Sequence, residues 1–213
     1  MISFPGSPRL LKGAIVALNP LTKAPVGVIP FQYNPETLTR SLQIQTLEGE
    51  QNNRVEALRL KGAPVETFQI EIQLDATDRL EKADPSAIGV GLHPQLAALE
   101  LLVYPNTVEV GINMISAALG VLEIIPSEAP MTLLVWGAKR VLPVRLTSFS
   151  TAEEAYDINL NPIRAKVTLG LRVLTYDDLP WSSFGSKLFF VHQVQKEILA
   201  RAGTATSGVN LFL

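Results

Sequence analysis

Apolar and polar residues alternate without a break across residues 67–75, and this pattern constrains the fold more than any other feature of the sequence. A period of two matches the two faces of a β-strand, so the segment is predicted to be a strand with one buried face. Residues 164–174 alternate in the same way, and residues 38–46 do so more weakly. The predicted inward positions of the two clear strands are Phe68, Ile70, Ile72, Leu74, Ala165, Val167, Leu169, Leu171 and Val173.

A hairpin is predicted within residues 130–175. Two apolar stretches meet at the Gly-Ala-Lys-Arg turn of residues 137–140, and a third strand follows a polar break. Trp136 is expected in the core beneath the turn, together with Leu134 and Val144. Lys139 and Arg140 are expected at its exposed tip, where basic side chains suit the rim of a protein interface.

Two helices are predicted beside these strands. Leucines recur at helical spacing in residues 92–103, with Pro94 in the first turn, and residues 186–202 carry an apolar stripe. The fold is therefore predicted to be mainly β (α+β), with one internal helix and a C-terminal amphipathic helix. We expect a β domain at residues 1–180 and, at residues 181–213, a helix and a Gly/Ser/Thr tether that ends in Leu211, Phe212 and Leu213.

Composition excludes several classes of protein. The net charge of −2 gives no general attraction to nucleic acid, and the absence of cysteine excludes disulfides and thiolate metal sites. The Pro- and Gly-containing N-terminus does not fit a signal peptide. Residues 108–125 are long and apolar, but they include Glu109, Asn113 and Glu123, so a buried or interface element is predicted instead of a membrane span.

No catalytic arrangement is predicted from the ionisable residues. His93 is expected to cap a helix and His192 to pack beside an apolar stripe. Glu153 and Glu154 are adjacent, so they point apart on an extended chain and cannot act as a paired acid and base. An acidic residue recurs every third position at Asp75, Asp78, Glu81 and Asp84. Because Arg79 and Lys82 lie among them, this series favours a solvated turn over a cation site. No enzyme, cofactor or metal is predicted.

Three motifs in fixed order carry a resemblance to a known family. They are FQYNPETL at residues 31–38, VWG at residues 135–137 and LNPIRA at residues 160–165. With their flanking segments they span most of residues 26–175, and together they resemble the tube-related adaptor family of contractile injection systems. Members often carry a LysM module after the tube-like domain; no LysM pattern follows residue 180 here.

The resemblance implies a β-sandwich or barrel-like tube fold that assembles as a homo-hexamer. The ring would lie at the base of the inner tube and contact the inner tube protein, the spike or hub protein and other baseplate subunits. Assembly is expected in the cytoplasm, with no direct membrane insertion and no nucleic acid partner. Two alternatives stay open: a tube or baseplate subunit of a contractile phage or type VI-like system, and an enzyme whose site is built from distant residues.

Interface residues are predicted from the same reasoning. Strands whose second face is polar but weakly charged suit a surface that lines a wet channel, as in large closed barrels. The apolar end of the tether is expected to dock onto a baseplate subunit. The candidate interface residues are Gln43, Gln45, Gln69, Gln73, Lys139, Arg140, Leu211, Phe212 and Leu213.

Overall fold

Seven strands form one antiparallel sheet in the computed structural model, which describes residues 11–19, 22–46, 59–120 and 130–206. Their order across the sheet is β2-β1-β5-β6-β7-β4-β3. β2 and β3 are therefore the outer strands. The strands are β1 Ala14–Leu18, β2 Pro25–Pro30, β3 Leu38–Gln43, β4 Val65–Asp75, β5 Met131–Val135, β6 Val141–Tyr156 and β7 Pro162–Val173.

Within these described ranges five helices accompany the sheet: α1 Thr77–Glu81, α2 Pro85–Val90, α3 His93–Glu100, α4 Thr107–Ala118 and α5 Phe184–Thr206. The predicted mainly-β α+β class is confirmed. The prediction of a single internal helix was too low, because four described helices precede residue 180. The predicted acidic turn is largely helical: Asp84 caps α2 by accepting a hydrogen bond from the Ser86 amide, and Pro85 suits its first turn. Asn106 caps α4 through the Val108 amide in the same way.

The core lies against one face of β4 and β7. All nine inward positions predicted from the alternation are buried, and the strands pair so that Ile70 faces Leu169 and Ile72 faces Val167. Leu92, Leu96 and Leu99 from α3 and its N-cap complete this core. Period-two alternation therefore predicted the buried face correctly.

The sheet curls until its two ends approach each other. Gln32, which follows β2, donates a side-chain hydrogen bond to the Asp75 carbonyl at 2.7 Å and accepts one from the Asp75 amide at 3.0 Å. The side-chain amide of Gln32 thus makes the two hydrogen bonds that a neighbouring strand would otherwise make with the end of β4. The result is one curled, barrel-like sheet. Among the described residues the outer edges of β2 and β3 carry no strand partner.

β6 and β7 form a long hairpin with irregular register. The pairing shifts between Leu146 and Ser148, and a Cβ at Gly170 would lie 2.3 Å from the Ser148 hydroxyl, so a larger residue there would have to displace the Ser148 side chain. At the turn, the Asp157 carboxylate accepts hydrogen bonds from the amides of Asn159 and Asn161. The turn is therefore well ordered by local hydrogen bonds.

Candidate assembly interface

The outer face of β3, β4, β7 and β6 is a continuous polar surface, which we call the polar face. Paired residues in an antiparallel sheet project to the same side, so the register defines its rows. Two rows cross from β3 through β4 and β7 to β6: Ser41, Thr67, Arg172 and Arg145; and Thr39, Gln69, Gly170 and Ser148. Two further rows cross from β4 through β7 to β6: Glu71, Thr168 and Ser150; and Gln73, Lys166 and Ala152.

Three of the four predicted glutamines lie on this face. Gln69 and Gln73 are exposed on β4, and Gln43 is exposed at the end of β3, where it pairs with Val65. Gln45 follows β3 and is half-buried, with its carbonyl accepting a hydrogen bond from the Lys61 amide. Ile44, an apolar position of the same weak alternation, is largely exposed.

Charges on and beside the polar face are mostly paired. Lys166 lies 2.7 Å from Glu154, and this hydrogen bond raises the pKa of Lys166. Arg164 lies 3.0 Å from Asp75. Burial alone would raise the pKa of Asp75, but hydrogen bonds from Thr77 and Arg164 outweigh it and lower that pKa. A surface of amides, hydroxyls and neutralised ion pairs binds water without a strong field of either sign.

The β5–β6 turn differs in part from its prediction. Leu134 and Val144 are buried as expected, and Gly137 adopts a φ of 74° that favours glycine. Trp136 is only half-buried and packs at the edge of the core, with its ring centroid 6.2 Å from that of Phe31.

Arg140 is not at the exposed tip. Lys139 is exposed, whereas Arg140 is half-buried with its guanidinium 5.9 Å from the centroid of the Phe68 ring. A cation over an aromatic ring contributes to stability, so Arg140 has a structural contact of its own.

A buried carboxylate joins α5 to the sheet, and this group was missed in the sequence. Glu66 is 2% exposed and lies 2.5 Å from Nε of Arg40 on β3 and 3.1 Å from Nζ of Lys196 on α5. Burial would raise the pKa of Glu66, but the hydrogen bonds and charges of these two cations outweigh it and lower the pKa. We call this group the Glu66 ion cluster. It holds the last helix against the strands.

His192 lies beside the cluster and is buried, as predicted for a packed imidazole. Its pKa is lowered, first by burial and then by the charge of Lys196. His93 does not cap α3: the N-cap is Leu92, with no side-chain cap hydrogen bond. In the part of the chain that the structure describes, no group of histidine and acidic residues is arranged to hold a metal.

Two predictions remain: the apolar end of the tether and the apolar segment of residues 108–125. Leu211, Phe212 and Leu213 fall outside the described residues. Residues 108–118 of the apolar segment form α4, in which no residue is buried, so the segment is not a buried element and its place at an interface stays a prediction. Residues 121–125 of the segment lie outside the described residues. No described helix combines the length and apolar character that a membrane crossing requires.

Comparison with known proteins identifies the family of this chain. The search of curated proteins found no match. A family described as "Contractile injection system tube protein" matches residues 12–178, which include all seven strands and the first four helices. Because the match covers well over half of the sequence, this chain belongs to the contractile injection system tube protein family.

Proposed function

We propose that this chain forms a ring at the base of the inner tube and connects the spike complex to the tube. The observation that carries the proposal is the polar face, which is exposed, nearly neutral and opposite the apolar core. A water-filled channel requires a lining of this kind. With the polar face turned inward, neighbouring copies would line such a channel around a common axis.

The two outer strands support closure of the ring. β2 and β3 end the sheet on its two sides, and unpaired strand edges readily pair with another chain. A homo-hexamer closed around a six-fold axis would cover both edges of every copy. Its partners are then the inner tube protein on one side, the spike or hub protein on the other, and baseplate subunits around it.

The apolar turn between β6 and β7 suits contact with an adjoining layer. Ile158 is 99% exposed and Leu160 is 76% exposed, yet the hydrogen bonds to Asp157 fix the backbone that presents them. A rigid loop loses little conformational entropy on binding. We assign residues 1–180 to the ring and to its contacts with the layers on either side along the tube axis. We assign residues 181–213 to docking onto a neighbouring subunit at the side of the ring.

Cross-linking of complete particles tests the ring. An amine-reactive reagent should yield ladders of this chain up to six copies, and the unassembled protein at equal concentration is the control. A ladder that stops at two or three copies contradicts a hexamer.

Location within the particle separates two roles. The family description favours a subunit of the tube itself as the second candidate. Electron microscopy of particles with a label on this chain should show density only at the base of the tube. Labels along the full tube length would instead establish the tube subunit.

A further inference from the structure

Helix α4 presents an apolar stripe that none of the described residues covers. None of its residues is buried, and the helix belongs to no part of the hydrophobic core. The stripe residues are between 57 and 78% exposed and follow the spacing i, i+4, i+7 and i+11, which places them on one side of a helix. They are Val108, Ile112, Ile115 and Leu119.

Helix α5 has an inner and an outer side with different environments. The inner side holds Phe189, His192 and Lys196, which are buried or bound to Glu66. On the helical wheel, the opposite side holds apolar residues that are 37 to 59% exposed. This outward stripe consists of Phe190, Val191, Val194 and Ile198.

The two stripes match in spacing and in charge. Val191, Val194 and Ile198 of the outward stripe are separated by three and four residues, as are Ile112, Ile115 and the C-cap residue Leu119 on α4. One helical turn before Val191, Lys187 is the first member of this α5 series, at the position that Val108 holds on α4. Alternating steps of three and four residues allow two helices to pack along their lengths. The charges also agree, because Glu109 is the one charged residue of α4 and Lys187 occupies the first position of the α5 series.

We propose that α4 of one copy packs in parallel against the outward stripe of α5 of a neighbouring copy, with Glu109 beside Lys187. The inference rests on the proposed ring. Each copy of a repeating assembly supplies one α4 and one α5, so a closed ring covers every stripe with a second copy of this chain. Two short stripes bury less than the roughly 1,200 Å² of a stable interface, so this contact adds to a ring and does not make a dimer alone.

Disulfide trapping tests this pairing, since the chain has no cysteine of its own. Ile115→Cys protein and tagged Val194→Cys protein are mixed in equal amounts, assembled into particles and oxidised. The expected product is a disulfide-linked heterodimer of the two variants. Because each variant carries one cysteine, this disulfide can form only between two copies. Met114→Cys is the matched control: it is 69% exposed and adjacent to Ile115, but it points to a different side of the helix.

A heterodimer with Ile115→Cys that exceeds the Met114→Cys product at least tenfold supports the pairing. Equal yields, or homodimers of Ile115→Cys alone, overturn it. Amine cross-linking of the same sample separates the two proposals. A six-copy ladder without the disulfide refutes the helix contact and leaves the ring intact. Loss of both products refutes the ring as well.

Discussion

Removal of the Glu66 charge tests how the C-terminal helix is held. Glu66→Gln keeps the size of the side chain and one oxygen acceptor but takes away the carboxylate that joins Arg40 to Lys196. Both cations then lose their partner, and one of them, Lys196, joins α5 to the sheet. We expect the protein to fold with a lower free energy of unfolding and a more easily detached α5.

The magnitude follows from the exposure of the cations. Removal of one member of a buried ion pair costs about 3–5 kcal/mol when the other stays buried. The Arg40 and Lys196 side chains are 33% and 39% exposed, so water partly hydrates them once Glu66 is gone. Solvent screening reduces the cost to about 2 kcal/mol. For a chain of this length that lowers Tm by about 4–8 °C.

Urea unfolding at neutral pH measures this loss, and Glu71→Gln is the control. Glu71 lies on the same strand but on the exposed face, so its substitution should change the free energy of unfolding by less than about 0.5 kcal/mol. The pKa of Glu66 is lowered in the folded protein, so its contribution is present above the unfolded pKa and disappears as the pH falls through the folded value. Equal losses for the two variants at neutral pH would refute the assignment.

Three further outcomes are expected. His192 has a lowered pKa when folded, so stability should fall as the pH drops below about 6.5, the unfolded value; His192→Gln should flatten that decline in Tm. Trp136→Ala should cost about 2–3 kcal/mol in urea unfolding, less than for a fully buried ring, and Trp181→Ala, at an exposed position, less than about 1 kcal/mol. Ile158→Ser with Leu160→Ser should leave Tm unchanged but lower particle yield, and a normal yield would exclude the β6–β7 turn from assembly.

The sheet was predictable because its two central strands are amphipathic with a strict period. β4 and β7 each present one buried and one exposed face, and that environment selects alternating residues. The same rule would have found Glu66, which lies two positions before Phe68 and therefore projects to the core face. An acidic residue at an inward position is the sequence signal for a buried ion pair.

The short helices were harder to predict because local residues specify them weakly. α1 and α2 have five and six residues, too few for a periodic apolar pattern. Their signals are single caps, such as Asp84 before Pro85. α4 is rich in β-branched residues, which favour strands by propensity, and its stripe is not buried by any part of the chain that the structure describes. The position of Gln32 against Asp75 depends on curling of the whole sheet, which no local pattern specifies.

The Glu66 ion cluster also determines how α5 faces a neighbour. Phe189, His192 and Lys196 occupy the inner side of the helix, so their contacts fix its rotation about its own axis. That rotation directs Val191 and Val194 away from the domain. Loss of the carboxylate would remove the Lys196 contact and loosen the rotation before it unfolds the sheet, because β4 and β7 remain paired without it. The cluster therefore stabilises the protein and also orients the outward stripe, so Glu66→Gln should lower the Ile115–Val194 disulfide yield even at temperatures where the sheet stays folded.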